Sequence, residues 1–212
     1  MSRDALIVGV SSYQFLPSLN APAHDAEAIA QQIEAHGDFR VARLPEIVQA
    51  EKLRIGTKTL VTLTELETAL VKLFKPNGNN IPQTALFYFS GHGLQKDVGI
   101  REGYLATSDA NPNANFYGLS LFWLRRLLQE STVRQRIVLL DCCHSGEILN
   151  FLEADPGAKS GTDRLFMAAS RDYEAAYESL TGDYSVFTKA LLEGLDPRRL
   201  TNGTVTNYAL TD

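Results

Sequence analysis

Two short stretches of the chain carry side chains suited to covalent catalysis. One is Asp141-Cys142-Cys143-His144-Ser145-Gly146, directly after the apolar run Arg136-Ile137-Val138-Leu139-Leu140. The other is Ser90-Gly91-His92-Gly93, directly after Thr84-Ala85-Leu86-Phe87-Tyr88-Phe89. Each places a reactive group where a buried strand would emerge into a loop. A thiol is mostly protonated at neutral pH, with a reference pKa of about 8.5. A histidine within hydrogen-bond reach takes that proton or stabilises the thiolate, and later protonates a leaving amine. With Cys143 as nucleophile and His92 as its partner, the minimum apparatus for acyl transfer is present. The tetrahedral intermediate also needs donors for its oxyanion. Gly93 offers a backbone N–H that a substrate can approach closely, because glycine has no Cβ. The Cys143 N–H is the natural second donor.

Asp141 narrows the chemistry. Alternation along an extended segment puts residues 141 and 143 on the same side. A carboxylate near a thiol raises the thiol pKa, which by itself harms catalysis. The pairing makes sense when a substrate cation neutralises Asp141. A lysine or arginine just before the scissile bond would do so, and arginine would gain a bidentate pair in a partly desolvated pocket. Ser90, two residues before His92, would line the same pocket. The expectation is cleavage after Arg or Lys and little activity after Asp.

The same residues admit plainer readings. Cysteine is among the most buried residue types, and alternation points Cys142 away from Asp141. Asp141 could simply cap the following turn. A zinc site from His92, Cys142, Cys143 and His144 lacks the usual two-residue gaps between ligands. His144 neighbours the nucleophile, but adjacent residues in extended chain point apart, so His92 is preferred as the base. His24 and His36 read as surface residues of the first helix. Gly9-Val10-Ser11-Ser12-Tyr13 lacks the spacing of a phosphate-binding loop, which argues against a nucleotide site.

The elements that must position these groups are legible from periodicity. Ala5–Val10 is a continuous apolar run of strand length. Ala26, Ile29, Ala30 and Ile33 repeat at helical spacing, with Gly37 as a stop. Phe39–Leu44 alternates as a second strand, and residues 45–62 read as an irregular insertion. Thr64 and Glu67 form a capping-box pattern ahead of Leu66, Ala69, Leu70 and Leu73. Thr84–Phe89 is the next strand, followed by a Gly-rich charged loop through Gly103. Leu121, Leu124, Leu127 and Leu128 mark a third helix capped by Ser120. Arg136–Leu140 and Arg164–Ala169 are strands. Val186, Phe187, Ala190 and Leu191 mark a last helix ending at Gly194. This order predicts an α/β fold with a mostly parallel central sheet and helices on both faces. Gly203–Leu210 reads as a turn into a new helix, so the expectation is one peptidase domain over 1–212, cut from a longer protein with further domains.

Composition sets the outer bounds. The chain has 212 residues, 44% of them hydrophobic and 21% charged, as in a soluble globular protein. The formal net charge of −5 argues against nucleic acid or an anionic membrane as the main partner. No apolar run is long enough to span a bilayer, and the N-terminus shows no signal-peptide pattern. The two cysteines are adjacent and cannot staple distant segments. A reducing, cytoplasmic setting follows as the simpler expectation.

Taken together, Tyr88-Phe89-Ser90-Gly91-His92-Gly93 and Asp141-Cys142-Cys143-His144-Ser145-Gly146 resemble the caspase-hemoglobinase fold, specifically its metacaspase and bacterial orthocaspase branch. The separation of the two candidates, 143 − 92 = 51 positions, is close to the roughly 50 residues between His and Cys in caspases. The resemblance implies Cys143 as nucleophile, His92 as partner, and Asp141 in a pocket specific for basic residues, with Ser90 beside it. Leu19-Asn20-Ala21-Pro22-Ala23-His24-Asp25-Ala26 resembles a stretch that contributes a further pocket acid, here Asp25. Phe166–Ser170 and Ser185–Thr188 resemble the small-subunit part. The implied division is a large-subunit-like part over about 1–152, a linker over about 153–164 and a small-subunit-like part over about 165–212. Relatives often cleave themselves in the linker, and Lys159, flanked by small residues, is the expected site. The branch usually has Ser where Cys142 stands, a nearly isosteric exchange. Some relatives bind calcium through aspartates. Asp97 and Asp109 are the candidate remnants here, but Asn150 stands where an acid is expected, so no cofactor is expected. The leading function is a cysteine endopeptidase acting on proteins or peptides after basic residues. The alternatives are a catalytically silent scaffold or binding module of the same fold, and another cysteine hydrolase such as an amidase.

Overall fold

The computed structural model describes residues 2–78, 80–142, 163–169 and 184–199. In chain order the elements are β1 (Arg3–Gly9), α1 (Pro22–His36), β2 (Phe39–Leu44), β3 (Glu46–Gln49), β4 (Lys52–Ile55) and α2 (Leu63–Phe74). There follow β5 (Thr84–Ser90), β6 (Gly93–Lys96), β7 (Glu102–Leu105), β8 (Leu119–Ser120) and α3 (Leu121–Gln129). The last are β9 (Gln135–Asp141), β10 (Asp163–Ala168) and α4 (Val186–Gly194). Five strands form one sheet in the order β10-β9-β5-β1-β2, and every neighbouring pair is parallel.

Parallel strands joined by helical crossovers are covered on both faces, which is why the central ones read as unbroken apolar runs. All seven residues of β5 are buried. Alternation then sorts the side chains between two cores. Ala5, Ile7, Leu86, Tyr88 and Leu139 meet Ala26, Ile29 and Ile33 of α1 and Leu191 of α4. Leu6, Val8, Phe87, Phe89, Leu140 and Cys142 meet Leu66 and Leu70 of α2 and Leu124 and Leu128 of α3. Where α1 approaches β1, Gly9 allows the contact. A Cβ there would stand 2.6 Å from the Pro22 carbonyl oxygen and 2.9 Å from Ala23 Cα.

The structure departs from the sequence reading in three places. The segment read as irregular contains an antiparallel hairpin, β3 with β4. Glu27 of α1 holds it by accepting from the Ile55 N–H at 2.9 Å and from Arg54 at 2.7 Å, while also pairing with Arg43 of β2. The Gly-rich loop after β5, read as running through Gly103, likewise holds β6 and the start of β7, which with β8 form a small antiparallel sheet. The capping box of α2 is Thr62 with Glu65, not Thr64 with Glu67. Both pairs fit the same pattern in Thr62-Leu63-Thr64-Glu65-Leu66-Glu67. Contacts outside the helix select the first: Ser108 Oγ accepts the Val61 N–H at 2.9 Å, and Asp109 Oδ2 accepts the Leu63 N–H at 3.4 Å. Ser120 caps α3 as expected, accepting the Trp123 N–H at 3.2 Å.

Candidate active site

The carboxyl ends of β1, β5 and β9 lie side by side. Gly9 is in register with Ser90, and Ser90 with Asp141, so the three form a row across the sheet edge. Strand order reverses here: β2 lies on one side of β1, while β5, β9 and β10 extend on the other. Open parallel sheets place ligands beyond such a switch point. The two stretches singled out from sequence therefore leave the sheet from neighbouring strands. A 3.4 Å bond from the Gly91 N–H to the Asp141 carbonyl continues the pairing one step further.

His92 is held by the loop that follows β1. Its backbone N–H donates to the Tyr13 hydroxyl at 2.9 Å, and the two rings lie 4.8 Å apart and tilted by 52°. Its Nε2 lies 2.8 Å from the Pro17 carbonyl oxygen. A carbonyl only accepts, so Nε2 carries the proton and Nδ1 of the neutral ring keeps the free lone pair. Burial pushes the Tyr13 hydroxyl well above its ordinary pKa, so it stays neutral. Neither Tyr13 nor Pro17 was singled out from sequence. A backbone carbonyl leaves no sequence signal, and one aromatic residue after a strand does not mark a site by itself. Gly93 is buried and opens β6, opposite Leu105.

Asp141 and Asp25 come together below the sheet edge, on the face covered by α1 and α4. Asp25 is fully buried in the first turn of α1. Its carboxylate accepts the Ser185 N–H, at 3.1 Å to Oδ1 and 3.4 Å to Oδ2. Asp141 is 9% exposed and accepts from the hydroxyls of Ser185 and Thr188, with the Tyr88 hydroxyl 3.4 Å from the same oxygen. Burial pushes the Asp141 carboxyl above its usual range, and the three hydroxyls pull the other way. Burial, and then the nearby Asp141 and Asp25, raise the Tyr88 phenol well above its ordinary value. Ser90 is 3% exposed at the same strand end. Ser185, Thr188 and Tyr88 were not assigned a site role from sequence. Ser185-Val186-Phe187-Thr188 did carry a signal, since Ser185 stands as an N-cap ahead of an apolar helix.

Cys142 projects into the core under α2 and α3 at 3% exposure, away from Asp141 as alternation requires. Cys143, His144, Asn150 and Lys159 lie outside the described residues, as does the linker up to residue 162. Of the candidate calcium aspartates, Asp97 pairs with Arg101 at 3.5 Å. Asp109 accepts from Thr107 Oγ1 at 2.6 Å and from the Leu63 N–H. Among the described residues no group of three or more His, Cys, Asp or Glu is placed to hold a metal ion.

Comparison with known proteins agrees with this architecture. A family model described as "Caspase domain" matches residues 2–208. No curated protein matches the chain. Among solved structures, the crystal structure of protein GSU0716 from Geobacter sulfurreducens is similar, with a TM-score of 0.63 at 19% identity. The alignment covers 99% of this chain and 88% of that one. At that identity the likeness concerns the fold.

Proposed function

We propose a function from one premise: the chain belongs to the caspase-domain family of cysteine peptidases. Our reading is an endopeptidase that cuts after Arg or Lys, with Cys143 as nucleophile and His92 as general base and acid. The observation that supports it is the register of Ser90 with Asp141, which sets the two reactive stretches on adjacent strand ends. His92 Nδ1 takes the Cys143 proton, and the sulfur attacks the scissile carbonyl carbon. The C–S bond forms while the carbonyl electron pair moves to oxygen, where the Gly93 and Cys143 N–H groups receive it. Collapse breaks the C–N bond, and the proton on Nδ1 passes to the leaving amine. Water, deprotonated by the same nitrogen, then hydrolyses the thioester.

In this reading Asp141, Asp25 and Ser90 form the pocket for the basic side chain. Buried carboxylates are costly without a counter-charge, and a substrate cation supplies one. Self-processing after Lys159 belongs to the same reading, as does a reducing cytoplasmic setting that keeps the thiol usable. Among the described residues no helix is long and apolar enough to cross a membrane.

Fluorogenic peptides ending in Arg, Lys or Asp test the reading. Cleavage after Arg or Lys is expected, lost in Cys143→Ala and in His92→Ala. Asp141→Ala should lose basic substrates while Cys143 still reacts with iodoacetamide. No turnover of any peptide by the folded chain would leave the scaffold alternative standing. N-terminal sequencing of any processed fragment should begin at Ser160; another start rejects Lys159 as the site.

A further inference from the structure

The hydrogen bonds around Asp141 are unevenly shared between its two oxygens. Oδ2 accepts from Ser185 Oγ and from Thr188 Oγ1 at 2.8 Å, and the Tyr88 hydroxyl lies 3.4 Å from the same oxygen. Among the described residues none donates to Oδ1. Each hydroxyl has a single proton to give. Thr188 spends its proton on Asp141, so in the 2.6 Å contact between Thr188 and Tyr88 the phenol is the donor. Tyr88 thus acts mainly through Thr188. Ser185 Oγ also accepts the Thr188 N–H at 3.0 Å, which makes the same atom the N-cap of α4. The Ser185 N–H, meanwhile, is committed to Asp25.

We propose that Ser185 and Thr188, backed by Tyr88, are positioning residues for recognition of the substrate's basic side chain: they tether Asp141 by Oδ2 and leave Oδ1 as the one oxygen that meets the cation. This deepens the reading given above and rests on it. It also changes the expected manner of recognition. The planar fork of a guanidinium pairs best with both oxygens of one carboxylate, whereas an ammonium needs only one. A carboxylate tethered by one oxygen therefore withholds part of arginine's advantage over lysine. Releasing the tether returns that advantage.

The test compares matched peptides ending in Arg and in Lys on the full chain. Ser185→Ala and Thr188→Val should raise the Arg-to-Lys ratio of kcat/KM by about fivefold, with the change in KM rather than kcat. Ser185→Thr and Thr188→Ser, which keep the hydroxyls, should retain the wild-type ratio. A merely structural role would depress both substrates alike and leave the ratio unmoved, which overturns the inference. So does a ratio that falls. If the wild type cleaves neither peptide, or Asp141→Ala still cleaves after Arg, the functional reading itself fails. A binding arm does not depend on turnover. Agmatine and n-butylamine titrated into Cys143→Ala, followed by NMR, should show the guanidinium preference in Kd increasing in the same two variants. An unchanged preference, or no binding of either amine, overturns the inference. Thermal melting of each variant separates loss of the α4 cap from loss of selectivity.

Discussion

At residue 91 there is no room for a side chain: an added Cβ would stand 2.8 Å from the Tyr13 hydroxyl and 3.0 Å from the Phe89 ring. That hydroxyl accepts the His92 N–H, so any shift of Tyr13 or Gly91 moves the imidazole. With His92 as the proposed base, Gly91→Ala is expected to lower kcat by about 100-fold, since displacing a catalytic group by about 1 Å costs that much, while circular dichroism stays native. Asp141 gives a pH signature. Burial raises its folded pKa, so on the proposed reading the carboxylate that would meet a substrate cation is lost early as pH falls. The acid limb of kcat/KM for basic peptides should therefore lie above the ordinary carboxylate range. For stability the sign is opposite to that of a salt-bridged acid. The folded state holds the proton more tightly than the unfolded one, so this contribution is present below the unfolded pKa and fades as pH rises through the folded pKa. Asp141→Asn should therefore melt no lower than wild type at pH 7 while losing cleavage after Arg. A clear drop in melting temperature would contradict the assignment.

The helices and strands show which signals a single sequence carries. β1, β5 and β9 were legible because parallel strands covered on both faces need continuous apolar runs. α1, α3 and α4 were legible from their 3.6-residue apolar stripes. The β3–β4 hairpin was not, because its turn residues are Ala50 and Glu51, at φ 49° and 61°. Such a turn normally announces itself with Asn-Gly or Asp-Gly, and the flanking strands are largely exposed. The strands β6 and β7 have four residues each and were hidden among glycines. For the site, residues inside the two reactive stretches could be named from their chemistry. Partners that reach it from α4 and from the loop after β1 could not, because their approach depends on packing across the sheet. Two variants test elements directly. Thr62→Ala should cost about 1 kcal/mol in urea unfolding by removing the cap of α2. Gly9→Ala should cost about 1–3 kcal/mol, because the added methyl meets α1 backbone that cannot swing aside. It should also weaken basic-peptide binding, since Asp25 lies two residues beyond Ala23.

Across the whole molecule, acid titration sets two carboxylates against each other. Burial pushes Glu27 upward, but bonds from Gln31, Arg54, Arg43 and the Ile55 N–H together bring it below the usual range. Its contribution is present above the unfolded pKa and is lost as pH falls through the folded one. Glu27→Gln should therefore flatten the acid arm of the stability profile, whereas Asp141→Asn should remove the penalty on the neutral side. The pair of adjacent thiols has a practical consequence. With Cys142 sealed among Phe89, Leu140 and their neighbours, and Cys143 the nucleophile of the proposed reading, a bulky maleimide should find a single handle on the native chain and two in denaturant. A fluorophore or spin label could then be attached at position 143 without engineering away its neighbour, and dye incorporation would count competent molecules in any preparation.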